Sequence, residues 1–173
     1  MQLETDRLVL KPYDISQAGR VQQLAGEEDV ARTTFVPHPY PLETAKEWIS
    51  SHKEWIESKQ AYPLAMMRKE DGELVGTMTL RVSEKHQKGE LAYWVGKPYW
   101  GQGYATEAAQ KIVEFGFETL NLHRIWAGAF PENPASTRVM QKCGLVYEGT
   151  MKDDMYHWGK FRDIAIYGLV RNE

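Results

Sequence analysis

The stretch Tyr93-Trp94-Val95-Gly96-Lys97-Pro98-Tyr99-Trp100-Gly101-Gln102-Gly103-Tyr104-Ala105-Thr106-Glu107-Ala108 has the residue types and spacing best suited to chemistry. An apolar strand passes through a turn holding Gly101 and Gly103 and enters a helix. Residues without side chains let backbone N–H groups converge on an anion, and a helix N-terminus adds unpaired donors and a favourable dipole. Such a turn holds a pyrophosphate without a basic side chain. A P-loop needs Gly-Lys-Ser or Gly-Lys-Thr at its end, where this chain has Gly103-Tyr104-Ala105. A dinucleotide fingerprint needs a third small residue where Thr106 stands, and a repeating strand–helix–strand frame in place of hairpins. A tight turn without any ligand accounts for two glycines equally well, so the loop alone leaves its ligand open.

The elements that must position this turn follow from periodicity. Arg7 to Lys11 reads as a first strand. Asp14 caps a helix running to about Gly26, a residue able to end it in a left-handed conformation. Leu42, Ala45, Trp48, Ile49, His52, Trp55 and Ile56 recur at helical spacing after the Pro-rich loop 37–41. Trp48 and Trp55 share one face of that helix, a spacing that marks core more often than recognition surface. Pro63 to Arg68 and Leu74 to Val82 form a hairpin across Glu70-Asp71-Gly72, and Glu90 to Val95 is the next strand. The helix after the glycine turn buries Ala108, Ala109, Ile112, Val113, Phe115 and Phe117. His123 to Phe130 is a strand broken by Pro131-Glu132-Asn133-Pro134, and a short helix from Ala135 to Cys143 ends at Gly144. Leu145 to Met151 and Phe161 to Val170 are strands bracketing a loop, 152–160. Helices neither alternate strictly with strands nor segregate from them, so the order predicts an α+β domain with a mixed sheet. With no repeat or low-complexity tract, residues 1–173 read as one domain.

Composition narrows the function classes. A formal net charge of -3 gives no electrostatic case for nucleic acid. The N-terminus, Met1 to Arg7, carries acidic residues and lacks the apolar run of a signal peptide, and no stretch approaches the length of a membrane span, so no membrane partner is expected. One cysteine, Cys143, cannot form an internal disulfide, which suits a cytoplasmic protein. Without an adjacent base it reads as packing and not as a nucleophile. The five histidines show no paired ligand spacing, and no metal is expected. Tyr40, Tyr156, His157 and Trp158 fall in predicted loops, where large aromatics line substrate openings or favour a homodimer.

Downstream of the glycine turn stands Asn133-Pro134-Ala135-Ser136, then Arg138-Val139-Met140-Gln141-Lys142-Cys143-Gly144-Leu145. Together with the turn, this constellation resembles the GNAT acetyltransferase superfamily. Gly103 and Ala105 match its pyrophosphate pattern, while Trp100 stands where Gln or Arg is expected. That departure, and the opening Glu4-Thr5-Asp6-Arg7-Leu8-Val9-Leu10, are similar to the RimJ/RimL-type branch, and the resemblance covers essentially the whole chain. It implies a mixed, mostly antiparallel sheet of six to seven strands with about four helices, splayed between the fourth and fifth strands.

The resemblance also implies acetyl-CoA as cosubstrate and a primary amine as acceptor. The pantetheine arm would enter the splay beside the backbone of Trp94 and Val95. The pyrophosphate would rest on Gly101, Gln102, Gly103, Tyr104, Ala105 and Thr106, with Asn133 on the opposite wall. Val95 would also supply a backbone donor to the oxyanion formed when the amine attacks the thioester. Ser136 is the candidate acid for the leaving thiolate, with Tyr147 or water as substitutes; capping of the short helix is its alternative role. Glu90 is the candidate base acting through water, or simply an exposed strand-end carboxylate. Lys97, Gln102 and Lys142 could reach the coenzyme's nucleotide phosphate but equally suit a solvated surface. The acceptor is expected to be a protein or peptide α-amine. A polyamine or aminoglycoside-type amine, or a non-catalytic acyl-CoA-binding role, are the alternatives, and Asp153 and Asp154 would suit a cationic acceptor.

Overall fold

The computed structural model describes residues 1–172. Eight strands form one sheet in the order β1-β2-β3-β4-β5-β6-β8-β7. They are β1 (Leu3–Glu4), β2 (Leu8–Pro12), β3 (Ala61–Arg68), β4 (Leu74–Ser83), β5 (Lys88–Val95), β6 (Arg124–Ala129), β7 (Val146–His157) and β8 (Lys160–Val170). Five helices accompany them: α1 (Ala18–Ala25), α2 (Glu28–Arg32), α3 (Leu42–Glu57), α4 (Tyr104–Glu118) and α5 (Pro134–Lys142). The predicted α+β mixed sheet is present, with β1 and α2 raising the counts above those expected. Both are too short, at two and five residues, to leave a periodic signal.

Neighbouring strands pair antiparallel except β5 and β6, which are parallel and pair only at Lys88–Arg124, Gly89–Ile125 and Glu90–Trp126. Beyond Glu90 the two strands part, while β5 keeps pairing with β4 as far as Val95 and β6 with β8 as far as Ala129. This is the splay expected between the fourth and fifth predicted strands.

Side-chain alternation divides the sheet between two helical layers. Leu80 of β4 approaches Gly116 of α4, and Tyr62 of β3 meets Phe115 edge-on, so that face carries α4. The opposite face turns Thr77 to the Tyr13 hydroxyl, and Tyr13 packs on Trp48 of α3. Thr77 lies opposite Trp94, Thr79 opposite Ala92 and Arg81 opposite Glu90, so all six point towards α3.

Local chemistry sets the ends of the elements. Asp14 and Gln17 form a reciprocal capping box, but it starts a 3-10 turn that runs on into α1. Gly26 ends α1 at a φ of -75°, not left-handed as expected; a Cβ there would come within 2.5 Å of the Gln22 carbonyl oxygen. Close approach, and not backbone handedness, makes this position glycine. Gly144, at a φ of 90°, does end α5 left-handed, with Leu145 N–H bonded to Met140 C=O in a Schellman arrangement.

The predicted loop 152–160 is instead the tip of a long β7–β8 hairpin. Trp158 and Gly159, at φ of 52° and 82°, make the two-residue turn. The polar sequence hid the strand because two residues bulge out between Met151 and Met155, with Asp153 at a φ of 48° and its N–H on Asp163 Oδ1.

Candidate active site

A cleft of about 940 Å³ runs through the splay from one face of the sheet to the other. One wall is the unpaired stretch of β5. Gly96 N–H bonds to Val75 C=O on β4, so strand alternation turns the N–H and C=O of Leu91, Tyr93 and Val95 into the gap. Trp94, expected to contribute backbone, directs its main-chain groups to β4 and its side chain into the cleft.

At the end of β5 the chain passes through a 3-10 turn, Lys97–Tyr99, to Gly101 and Gly103. These two glycines have φ of 74° and 83°, a conformation side-chain-bearing residues avoid. Gly103 is the N-cap of α4, and among the described residues no side chain caps this end. The first helical bond runs from Glu107 N–H to Gly103 C=O at 3.1 Å, so the N–H groups of Tyr104, Ala105 and Thr106 lack partners within the helix. All three residues line the cleft with Gly101 and Gly103, whereas Gln102 lies outside it with its amide near Pro98 C=O. A cradle with open backbone donors and no Cβ at its turn fits a pyrophosphate.

Two contacts hold this cradle in place. The Trp100 indole N–H donates to Val95 C=O at 2.7 Å, filling a gap-facing acceptor with a side chain that stands where the resemblance expects Gln or Arg. On the other side Glu107 accepts from the Arg7 backbone N–H at 3.0 Å, from Arg7 Nε at 2.8 Å and from the Thr5 hydroxyl. Arg7 also lies over the Tyr104 ring, 4.4 Å from its centroid.

The opposite wall is the start of α5. Asn133 caps the start of α5, its Oδ1 accepting from Ser136 N–H at 3.4 Å while its Nδ2 donates to Thr33 C=O at 3.3 Å. The Ser136 hydroxyl does not cap the helix. It lies 2.8 Å from the Tyr93 hydroxyl, which also reaches Ser136 C=O at 3.0 Å. Burial pushes the Tyr93 phenol well above its usual range, so it stays neutral. Cys143 is half-buried and burial pushes its thiol up to about 11, which suits packing and not nucleophilic attack.

Glu90 lines the cleft where β5 and β6 part, 3.5 Å from Arg81. It stands five residues before Val95, about 16 Å away along an extended strand. Trp48 and Trp55, expected in the core, line the cleft on the α3 face with Tyr40 and Phe130. The hairpin tip closes over this end: His157 Nε2 is 3.1 Å from Ala31 C=O, and Arg32 lies over the Trp158 ring. Asp153, Asp154 and Tyr147 are not among the lining residues, and Lys97 pairs with Asp29 at 2.6 Å.

Comparison with known proteins bears directly on this geometry. The family model described as an acetyltransferase (GNAT) domain matches residues 7–146. The uncharacterized N-acetyltransferase YoaA of Bacillus subtilis (strain 168) is 30% identical over 98% of this chain and 96% of its own. A putative ribosomal N-acetyltransferase of that strain, YdaF, is 33% identical over 60% of this chain and 57% of its own. Spermidine N(1)-acetyltransferase of Escherichia coli (strain K12) is 29% identical over 54% of this chain and 50% of its own. Among solved structures, RimL, a ribosomal L7/L12 alpha-N-protein acetyltransferase in complex with coenzyme A, superposes with a TM-score of 0.89 at 17% identity, covering 98% of both chains. The microcin C7 self immunity acetyltransferase MccE, in complex with acetyl-CoA and AMP, gives 0.87 at 17% identity, covering 96% of this chain and 94% of its own. The two structures share the fold, and the sequence matches carry the assignment: the chain belongs to the GNAT acetyltransferase family.

Proposed function

We propose that residues 1–173 form one acetyl-CoA-dependent N-acetyltransferase domain, acting in the cytoplasm on the α-amine of a protein or peptide. The observation that carries this reading is the meeting, in one cleft, of the unpaired β5 backbone and the uncapped start of α4. An extended amide-bearing arm finds main-chain partners on the first, and its pyrophosphate finds N–H donors on the second. The lone, half-buried Cys143 supports the compartment.

When bound, the coenzyme supplies an acetyl thioester. Gly101, Gly103 and the N–H groups of Tyr104, Ala105 and Thr106 would hold its phosphates, and Asn133 would offer its remaining amide hydrogen from the opposite wall. The N–H of Val95 donates to the acetyl oxygen as negative charge builds there, a fixed dipole needing no reorganisation. The amine nitrogen bonds to the acetyl carbon as the carbon–sulfur bond breaks. Ser136, oriented by Tyr93, would donate to the departing sulfur and recover its proton from solvent, so that the hydroxyl ends the cycle as it began. Glu90 is too far along β5 to touch the reacting amine and takes its proton only through water. An α-amine, with a pKa of about 8, arrives partly neutral and tolerates that distance, whereas a lysine amine near 10.4 does not.

Intact-mass measurement of peptides with free and blocked N-termini, incubated with protein and acetyl-CoA, tests this. Mass gain confined to free N-termini is expected. Acetylation of polyamines or aminoglycosides with every peptide untouched would contradict it in favour of a small-molecule enzyme.

A further inference from the structure

The α3 side of the cleft has an unusual charge inventory. Among the described residues four charged ones line the cleft, Arg81, Glu90, Arg138 and Lys142, and the last two belong to α5 across the gap. On the α3 side Glu90 is the single carboxylate among the described residues, and Arg81, 3.5 Å away, already offsets it. Between Glu90 and Val95 the groups facing α3 are Thr77, Thr79, Ala92 and Trp94, all neutral. The facing helix supplies Trp48 and Trp55, and the flanking chain adds Phe35, Val36, Pro63 and Phe130.

The two tryptophans are held from behind. His52 is buried between them, with ring centroids 4.3 Å from Trp48 and 5.6 Å from Trp55. Burial keeps this imidazole neutral at ordinary pH, so it adds no charge to the wall. A polyamine bringing two or more ammonium groups here would find no unpaired carboxylate among the lining residues for its non-reacting charges.

We infer that the acceptor is a primary amine whose reacting nitrogen is its only cationic group, carried on an apolar or aromatic substituent that Trp48 and Trp55 read. This rests on the amine-acetylation reading of the cleft but not on a peptide being the carrier. Gln60, which follows α3 and lines the same wall, is neutral where Glu would add a second carboxylate.

The test compares kcat/KM for phenethylamine, spermidine, and short free-N-terminus peptides beginning with Phe or Lys. Phenethylamine and the Phe peptide should exceed spermidine and the Lys peptide by about tenfold to a hundredfold, the worth of burying a side chain of that size. Trp48→Ala and Trp55→Ala should each erase most of the Phe-over-Lys preference. Trp48→Phe, which keeps an aromatic ring and the fold, should retain it. Gln60→Glu should narrow the gap to spermidine at least about threefold. Spermidine as the best acceptor, or a Phe-over-Lys preference unchanged in both alanine variants, overturns the inference. Acetylation of phenethylamine with no peptide modified supports it and contradicts the peptide reading alone.

Discussion

Ser136 has its hydroxyl 2.8 Å from Tyr93 while Asn133 caps the helix, and the proposed acid role for it makes a specific prediction. A thiolate of pKa about 8.5 leaves readily, so an acid helps less here than the ~10²–10⁴ of general catalysis. Ser136→Ala should lower kcat about tenfold to a hundredfold with KM for acetyl-CoA changing less than about threefold. An unchanged kcat would make Ser136 structural. Tyr93→Phe should lower kcat by a smaller factor, because the serine hydroxyl remains but loses its orienting partner. The double variant should be no worse than Ser136→Ala, and additive losses would show the two to act separately. Asn133 and Ser136 stand out in the sequence because they share a short motif. Tyr93 did not, since its bond to Ser136 joins a strand to a helix 43 residues away, and alternation fixes its face but not its partner.

At the scale of elements, the turn between β5 and α4 depends on Trp100 and on the Glu107 brace. Trp100→Phe keeps the ring and deletes the donor to Val95 C=O. One hydrogen bond of about 0.5–1.5 kcal/mol corresponds to a rise in KM for acetyl-CoA of roughly two- to tenfold. A KM that stays the same or falls would mean the indole competes with the coenzyme for that carbonyl. Glu107→Ala strands Arg7 and Thr5 and should lower stability by about 1–3 kcal/mol in urea unfolding. No measurable change would reduce the brace to a surface contact. Periodicity was enough to find α3, α4 and the β3–β4 hairpin, whose apolar faces repeat regularly. The splay was not legible from periodicity, because Leu91 to Val95 reads as an ordinary strand and only the missing partner distinguishes it; family resemblance supplied it. The β7–β8 tip escaped for the opposite reason: its bulge at Asp153 breaks the alternation that marks a strand.

For the molecule as a whole, the aromatic layer behind the cleft carries a pH signature. His52 is buried with neither ring nitrogen hydrogen-bonded among the described residues, and that burial pushes its pKa down to about 4. An unfolded imidazole titrates near 6.5, so between about pH 6.5 and 4 the unfolded chain binds a proton that the folded chain refuses. Stability should therefore fall as pH drops through that window and the loss should level off below about 4. Thermal melts of His52→Leu should lose less Tm across the same range, and an equal loss would assign the acid sensitivity elsewhere. In the proposed function the β5–β6 gap and the glycine turn together hold the coenzyme. Calorimetric titration with acetyl-CoA, comparing the native chain with Gly103→Glu, tests it most directly. Gly103 combines a φ of 83° with a place in the cradle, so a glutamate adds backbone strain, bulk and negative charge where phosphate belongs. The native chain should bind saturably and a variant whose circular dichroism shows it folded should not; undiminished binding by that variant would contradict this assignment.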